Sequence, residues 1–271
     1  MKSEIKHSAV YIAVALPLTW ALSGLIFSNP KYAPLFPLCM FIPALVGLTL
    51  NFIYYRSIRA ILSPIFHKVG MKAILFSVLY PLVFIACVAT VAVVTGLGTF
   101  HPDRLSALYK LPSLKALMLG LLLIFGEEYG WRGFLLKELA AAKGKIISAL
   151  AVGVVWALWH GPIVYGTARF SHMPNPFLLI TIQMCAVFVF SIPFAYAYFL
   201  SNSILPPMIF HYLWNFFNPI VLGNIYQNKA GIVEGNLLFI NGEGLAGIVF
   251  GLLFFIWYLY RFRQGSEQES E

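Results

Sequence analysis

Two of the ten acidic residues, Glu127 and Glu128, sit side by side directly after the uncharged run Ala116–Gly126, while the other eight read as loop or tail residues. Placing an ionisable group in an apolar layer costs ~2.5–3.5 kcal/mol on insertion scales, so such residues are functional candidates by default. Arg132 follows Glu128 by four residues and shares its helix face, where it can neutralise that carboxylate. Glu127 projects ~100° away and has no local cation. The pair therefore divides into a neutralised carboxylate and one available for acid–base work, although a buried ion-pair cluster that merely holds helices together would look the same. His160 ends the run Ala149–Trp159, and Gly161-Pro162 after it predict a helix break. His211 and Asn215, four apart, face one side of a later helix. The remaining histidines, His7, His67, His101 and His172, fall in predicted loops or termini. Intramembrane carboxylates and imidazoles suit either hydrolysis or a proton relay.

The elements that carry these groups are set by composition. Apolar residues make up 60% of the 271 and charged residues 10%. Soluble domains sit near ~45–50% and ~25%, so a soluble or disordered chain is excluded. Cys39, Cys87 and Cys185 all lie in apolar runs, which argues against a disulfide framework. The net charge of +8 is dispersed without basic blocks and gives no nucleic-acid footprint. Eight runs are long enough to cross a bilayer: roughly 8–28, 35–55, 73–97, 112–137, 146–168, 177–200, 203–222 and 243–261. The first, with Pro17 inside it, reads as a span rather than a cleaved leader. The expectation is an all-α polytopic membrane protein, one membrane domain over 1–271 with about eight transmembrane helices around a conical intramembrane cavity.

Lysine and arginine counts orient it. With both termini in the cytoplasm, the inner side carries eleven basic residues and the outer side six. Arg56–Lys72 reads as an interfacial segment. Measured from Lys137, Lys145 and Asn202 as inner markers, Glu127, His160 and His211 lie ~15, ~22 and ~14 Å deep in a core ~30 Å thick. Three spans thus deliver polar groups to one layer, and the cavity is expected to open at the Lys137 end.

Glu127-Glu128-x-x-x-Arg132, then Trp159-His160-Gly161, then His211-x-x-x-Asn215 resemble the motifs of the CAAX protease and bacteriocin-processing family, the CPBP or Abi intramembrane proteases, which include the type II prenyl-protein endopeptidase. The resemblance covers about 112–220. It implies an intramembrane endopeptidase acting on a membrane-associated peptide, either a prenylated CAAX-type tail or a leader or bacteriocin-type peptide. It further implies that Glu127 is the base for a water that His160 helps to hold. His211 and Asn215 would form the oxyanion site, with Glu128 and Arg132 orienting the others. The partners are membrane lipids and a lipidated or membrane-associated peptide, with no nucleic acid.

The family has been classed both as metalloproteases and as glutamate-dependent proteases. Glu127, His160 and His211 resemble a two-His, one-carboxylate zinc set, but no His-Glu-x-x-His helix is present. A site without cofactor or metal is favoured, with zinc as the alternative. No Gly-x-Ser-x-Gly is present either, and Cys185 and Ser191 read as packing residues. Trp131, Trp156, Trp159 and Trp214 read as cavity walls or packing, and the glycines of the fourth run as points of close helix approach. A proton-coupled transporter and a silent membrane scaffold are the competing classes, and neither the paired broken repeats of the first nor a degraded motif set for the second is visible.

Overall fold

A computed structural model describes residues 2–171 and 175–268, with side chains up to Phe262. His172 and the acidic end of the chain lie outside that description. In hydrocarbon every backbone polar group must find an internal partner, so the apolar runs form helices. These are α1 (Lys2–Ile26), α2 (Phe41–Tyr55), α3 (Ile58–Phe66), α4 (Met71–Val94), α5 (Leu114–Glu128), α6 (Lys137–Phe170), α7 (Pro176–Phe199), α8 (Leu205–Val221), α9 (Leu237–Ile240) and α10 (Leu245–Gln268). Two 3-10 segments, Pro30–Met40 and Pro102–Tyr109, precede α2 and α5, and a π-helical segment, Tyr129–Leu136, joins α5 to α6. The chain is an all-α polytopic membrane protein.

Among the described residues, six helical stretches are long and apolar enough to cross a membrane. One of them, Leu114–Phe170, runs for 57 residues and carries two of the eight sequence runs. It turns at Gly144, whose φ of 76° and ψ of 175° leave the helical region. The seventh run forms the 17-residue α8. The interfacial segment is the short α3, whose Pro64 carbonyl accepts the backbone N–H of Ile204 (2.8 Å).

The break expected after His160 does not occur, because α6 continues through Pro162 to Phe170. Proline cannot donate to the carbonyl four residues back, that of Leu158. The Trp20 indole of α1 donates to that carbonyl instead (3.2 Å). Glycine relieves crowding where α5 and the π segment meet α2. A Cβ on Gly126 would stand 2.4 Å from the Met40 carbonyl oxygen, and one on Gly130 2.4 Å from Pro43 and the Tyr11 hydroxyl.

The loops sort onto two ends of the bundle. At one end, β1 (Gly98–Phe100) pairs antiparallel with β2 (Val233–Gly235), and Arg104 bonds Glu234 (2.6 Å) and the Gly231 carbonyl (2.8 Å). The connection between α8 and α10 thus contains a strand and the one-turn α9. At the other end His7 of α1 meets Glu138 (2.9 Å), Tyr258 of α10 donates to the Lys145 carbonyl (3.0 Å), and Pro64 of α3 bonds Ile204, the residue before α8. Both described chain ends start from this second end.

Candidate active site

Glu127 and Glu128 close α5, and the eight residues after them form the π segment, all of them buried. Such wide turns inside helices occur frequently at functional sites. Here the turn still brings Arg132 back to its carboxylate, and Arg132 Nη1 donates to Glu128 Oε1 (3.1 Å). The same oxygen meets His211 Nδ1 from α8 (2.8 Å). An ionised carboxylate only accepts, so His211 carries its proton on Nδ1, and Nε2 is left for the cavity. Glu128 and Arg132 are both fully buried, with Glu128 Oε2 and Arg132 Nε and Nη2 lacking hydrogen-bond partners. The guanidinium is covered instead by the rings of Trp156 (4.2 Å to the centroid) and Phe194 (4.6 Å), an arrangement that favours a cation.

Glu127, without a local cation in the sequence, has a neutral partner in the fold. Trp156 Nε1 of α6 donates to its Oε2 (2.9 Å), while the Trp156 carbonyl takes the Nδ1 proton of His160 (2.9 Å). One residue, read from the sequence as a cavity wall, therefore positions both groups. A carbonyl is an acceptor only, so His160 Nε2 is left as an acceptor. Glu127 still has no ion pair among the described residues.

A cavity of ≈ 400 Å³ lies between α5, α6, α7 and α8, and Glu127, His160, His211 and Asn215 all line it. Glu128 and Arg132 do not, so the motif splits into groups that face the cavity and groups that stand behind it. Trp156, Trp159 and Trp214 form walls, whereas Trp131 is packed away from the cavity with none of its surface exposed. Ser191 is buried, and Cys185 lies outside the lining.

Three expectations are corrected. The lining runs from Glu127 toward Phe36, Thr167 and Gly223–Gln227, which belong to the end of the bundle bearing β1 and β2. The expected opening at Lys137 is therefore at the wrong end, since depth along a helix fixes a layer but not the direction in which a cavity widens. Glu138, counted as a loop residue, is 2% exposed and bonded to His7 and Tyr55. Glu243, counted likewise, lies in the turn before α10 and lines the cavity. Its only sequence signal was the pair of flanking glycines, Gly242 and Gly244.

Among the described residues no three His, Cys, Asp or Glu side chains form a group placed to hold a metal ion. His160 Nε2 and His211 Nε2 are the ring nitrogens left unbound by protein.

No curated protein matches the chain. A family does match, over residues 109–217, nearly the stretch on which the sequence motifs fall. Its description is Type II CAAX prenyl endopeptidase Rce1-like, and the stretch from Tyr109 to Phe217 is similar to that family.

Proposed function

We propose that the cavity hydrolyses a peptide bond of a membrane-associated substrate with a water activated by Glu127. The observation that carries this reading is the shared cavity: Glu127, His160, His211 and Asn215 face it while the Glu128–Arg132 pair is sealed behind. In the proposed sequence, water bonds Glu127 and His160 Nε2, gives its proton to Glu127 and attacks the carbonyl carbon. Glu127 then returns the proton to the leaving amine. The oxyanion lies between the Asn215 amide and His211 Nε2. Because Glu128 holds the Nδ1 proton of His211, Nε2 donates only when the ring carries both protons, a charge that the developing oxyanion balances. No metal enters this sequence, and cleavage in the presence of a chelator tests that.

The basic-residue count favours cytoplasmic termini, which puts the cavity mouth on the opposite face and favours an exported peptide over a cytoplasmic prenylated tail. Purified protein should cleave membrane-anchored peptides, lose cleavage in Glu127→Gln, and retain it in the presence of a chelator. Cysteines replacing Lys143 and Lys110, in a background free of Cys39, Cys87 and Cys185, should label from inside and outside respectively. Reversed labelling would move the mouth to the cytoplasm and restore the prenylated tail as the favoured substrate.

A further inference from the structure

Glu243 is held by an arrangement larger than a loop residue needs. Asn218 of α8 donates to Asn241 Oδ1 (3.2 Å) and accepts the backbone N–H of Gly242 (3.2 Å). Asn241 in turn donates to the Gly223 carbonyl (2.6 Å) and accepts the backbone N–H of Glu243 (2.9 Å). The Glu243 carbonyl takes Gln183 Nε2 (2.8 Å), and Gln183 Oε1 takes the Tyr226 hydroxyl (2.7 Å). Gly242 permits this approach, because a Cβ there would stand 2.5 Å from both Asn218 Oδ1 and the Trp214 ring. Buried polar networks of this kind fix one geometry when their members are satisfied.

The carboxylate itself has neutral neighbours and no cation among the described residues. Trp214 Nε1 donates to Oε1 (3.1 Å), and the Tyr226 hydroxyl and the Gln183 amide lie beside the carboxylate. Trp214 is the residue before Asn215, so the indole that holds Glu243 shares α8 with both proposed oxyanion donors. From His211 to Trp214 the helix rises only ~4.5 Å. Glu243 thus faces the same cavity about one helical turn along α8 from His211, which a substrate residue within about three positions of the cut bond can span. Among the described residues the cavity lining holds two glutamates and no lysine or arginine, and Glu243 is in no ion pair. A carboxylate partly withdrawn from water attracts a cation far more strongly than one in solution, and repels a second carboxylate.

Resting on the peptidase reading, we propose that Glu243 is a specificity-determining residue that selects substrates with an ammonium or guanidinium group within about three residues of the cut bond. A substrate ending in a free carboxylate at that position would be disfavoured.

Binding, rather than cleavage, tests this separately from the chemistry. Acetylated and amidated peptides carrying Lys, norleucine or Glu at each of three positions on either side of a fixed bond would be titrated against the full-length Glu127→Gln protein in detergent. Lys should bind about tenfold or more tightly than norleucine at one position, and Glu more weakly than either. Adding Glu243→Gln should bring the Lys-to-norleucine ratio close to one, while Glu243→Asp keeps a preference. A free-amine version of the norleucine peptide distinguishes a terminal amine from a side chain as the source of the cation. No Lys preference at any position, with Glu243 intact, would overturn the proposal even if Glu243→Gln failed to fold. So would a ratio unchanged by Glu243→Gln. Loss of cleavage with the binding ratio preserved would count against the peptidase chemistry and not against Glu243.

Discussion

Two buried glutamates eleven positions apart, Glu127 and Glu138, have nearly the same exposure, 3% and 2%, and opposite surroundings. Glu138 is closed on both oxygens: Tyr55 donates to Oε1 (2.5 Å) and His7 Nδ1 meets Oε2 (2.9 Å), with His7 stacked on Tyr54 at 3.8 Å. It ties α1, α2 and α6 together at the end from which the chain starts, and it lines no part of the cavity that Glu127 faces. Glu127 spends one oxygen on Trp156 and presents itself to the cavity with the other uncommitted among the described residues. Burial alone does not mark a working carboxylate; an incomplete set of partners beside a space large enough for substrate does.

The largest effect should come from converting the open glutamate. Glu127→Gln keeps the Trp156 contact through the amide oxygen but cannot take a proton, so kcat should fall by ~10²–10⁴ with little change in the thermal midpoint. A comparable loss in Glu138→Gln would erase the distinction between the two. Next comes Glu128, which has the neighbours of a structural group and the reach of a functional one. Glu128→Gln leaves Arg132 without its counter-charge in a dry layer and should cost ~3–5 kcal/mol of stability. Activity should fall as well, because His211 loses the carboxylate that holds its Nδ1 proton. Unchanged melting with reduced activity would show that the cation–π contacts of Trp156 and Phe194 are enough to hold Arg132.

That contrast also explains what could be read in advance. Glu128 and Arg132 are four apart, as are His211 and Asn215, so helical periodicity alone puts each pair on one face and turns Glu127 to another, while the run lengths put them all in one layer. The partners of Glu138 lie 131 and 83 positions away, and no local pattern announces them. Glu243 was hidden for the opposite reason, since a turn flanked by two glycines reads as solvent-exposed loop until Asn218 and Asn241 are seen to pin it against α8. Trp156 was visible as an aromatic, but its hydrogen bond to Glu127 depends on how α6 rotates against α5, whereas the bond from His160 to its carbonyl lies within α6. The direction in which the cavity opens depends on the tilt of four helices, and helix depth carries no information about it.

Smaller effects sharpen the comparison further. Asn215→Ala should lower kcat by ~10²–10³ with KM nearly constant, as for a donor used mainly in the transition state. A change confined to KM would make Asn215 a substrate-binding group. Glu138→Gln should replace charge-assisted hydrogen bonds with neutral ones, at a cost of ~1–2 kcal/mol in melting, and leave kcat/KM unchanged.

The smallest expected effect concerns the helix that carries His160. Because Pro162 cannot donate, the Leu158 carbonyl depends on Trp20, and Trp20→Phe removes that donor while keeping most of the ring. The expected cost is ~1 kcal/mol. Pro162→Ala supplies a backbone N–H four residues after Leu158, so the carbonyl regains an intrahelical partner and no longer needs the indole. Trp20→Phe should then cost less in the Pro162→Ala background than in the natural one, with a coupling of ~0.5–1 kcal/mol in a double-mutant thermal melt. Additive losses would mean that the indole contributes through packing against α6 rather than through the orphaned carbonyl. His160 is two residues from the proline and its Nδ1 bond is to Trp156, one turn earlier. Catalysis should therefore respond to Pro162→Ala only if straightening the helix shifts the Trp156 carbonyl, which makes kcat in that variant a direct measure of how rigidly α6 presents its half of the site.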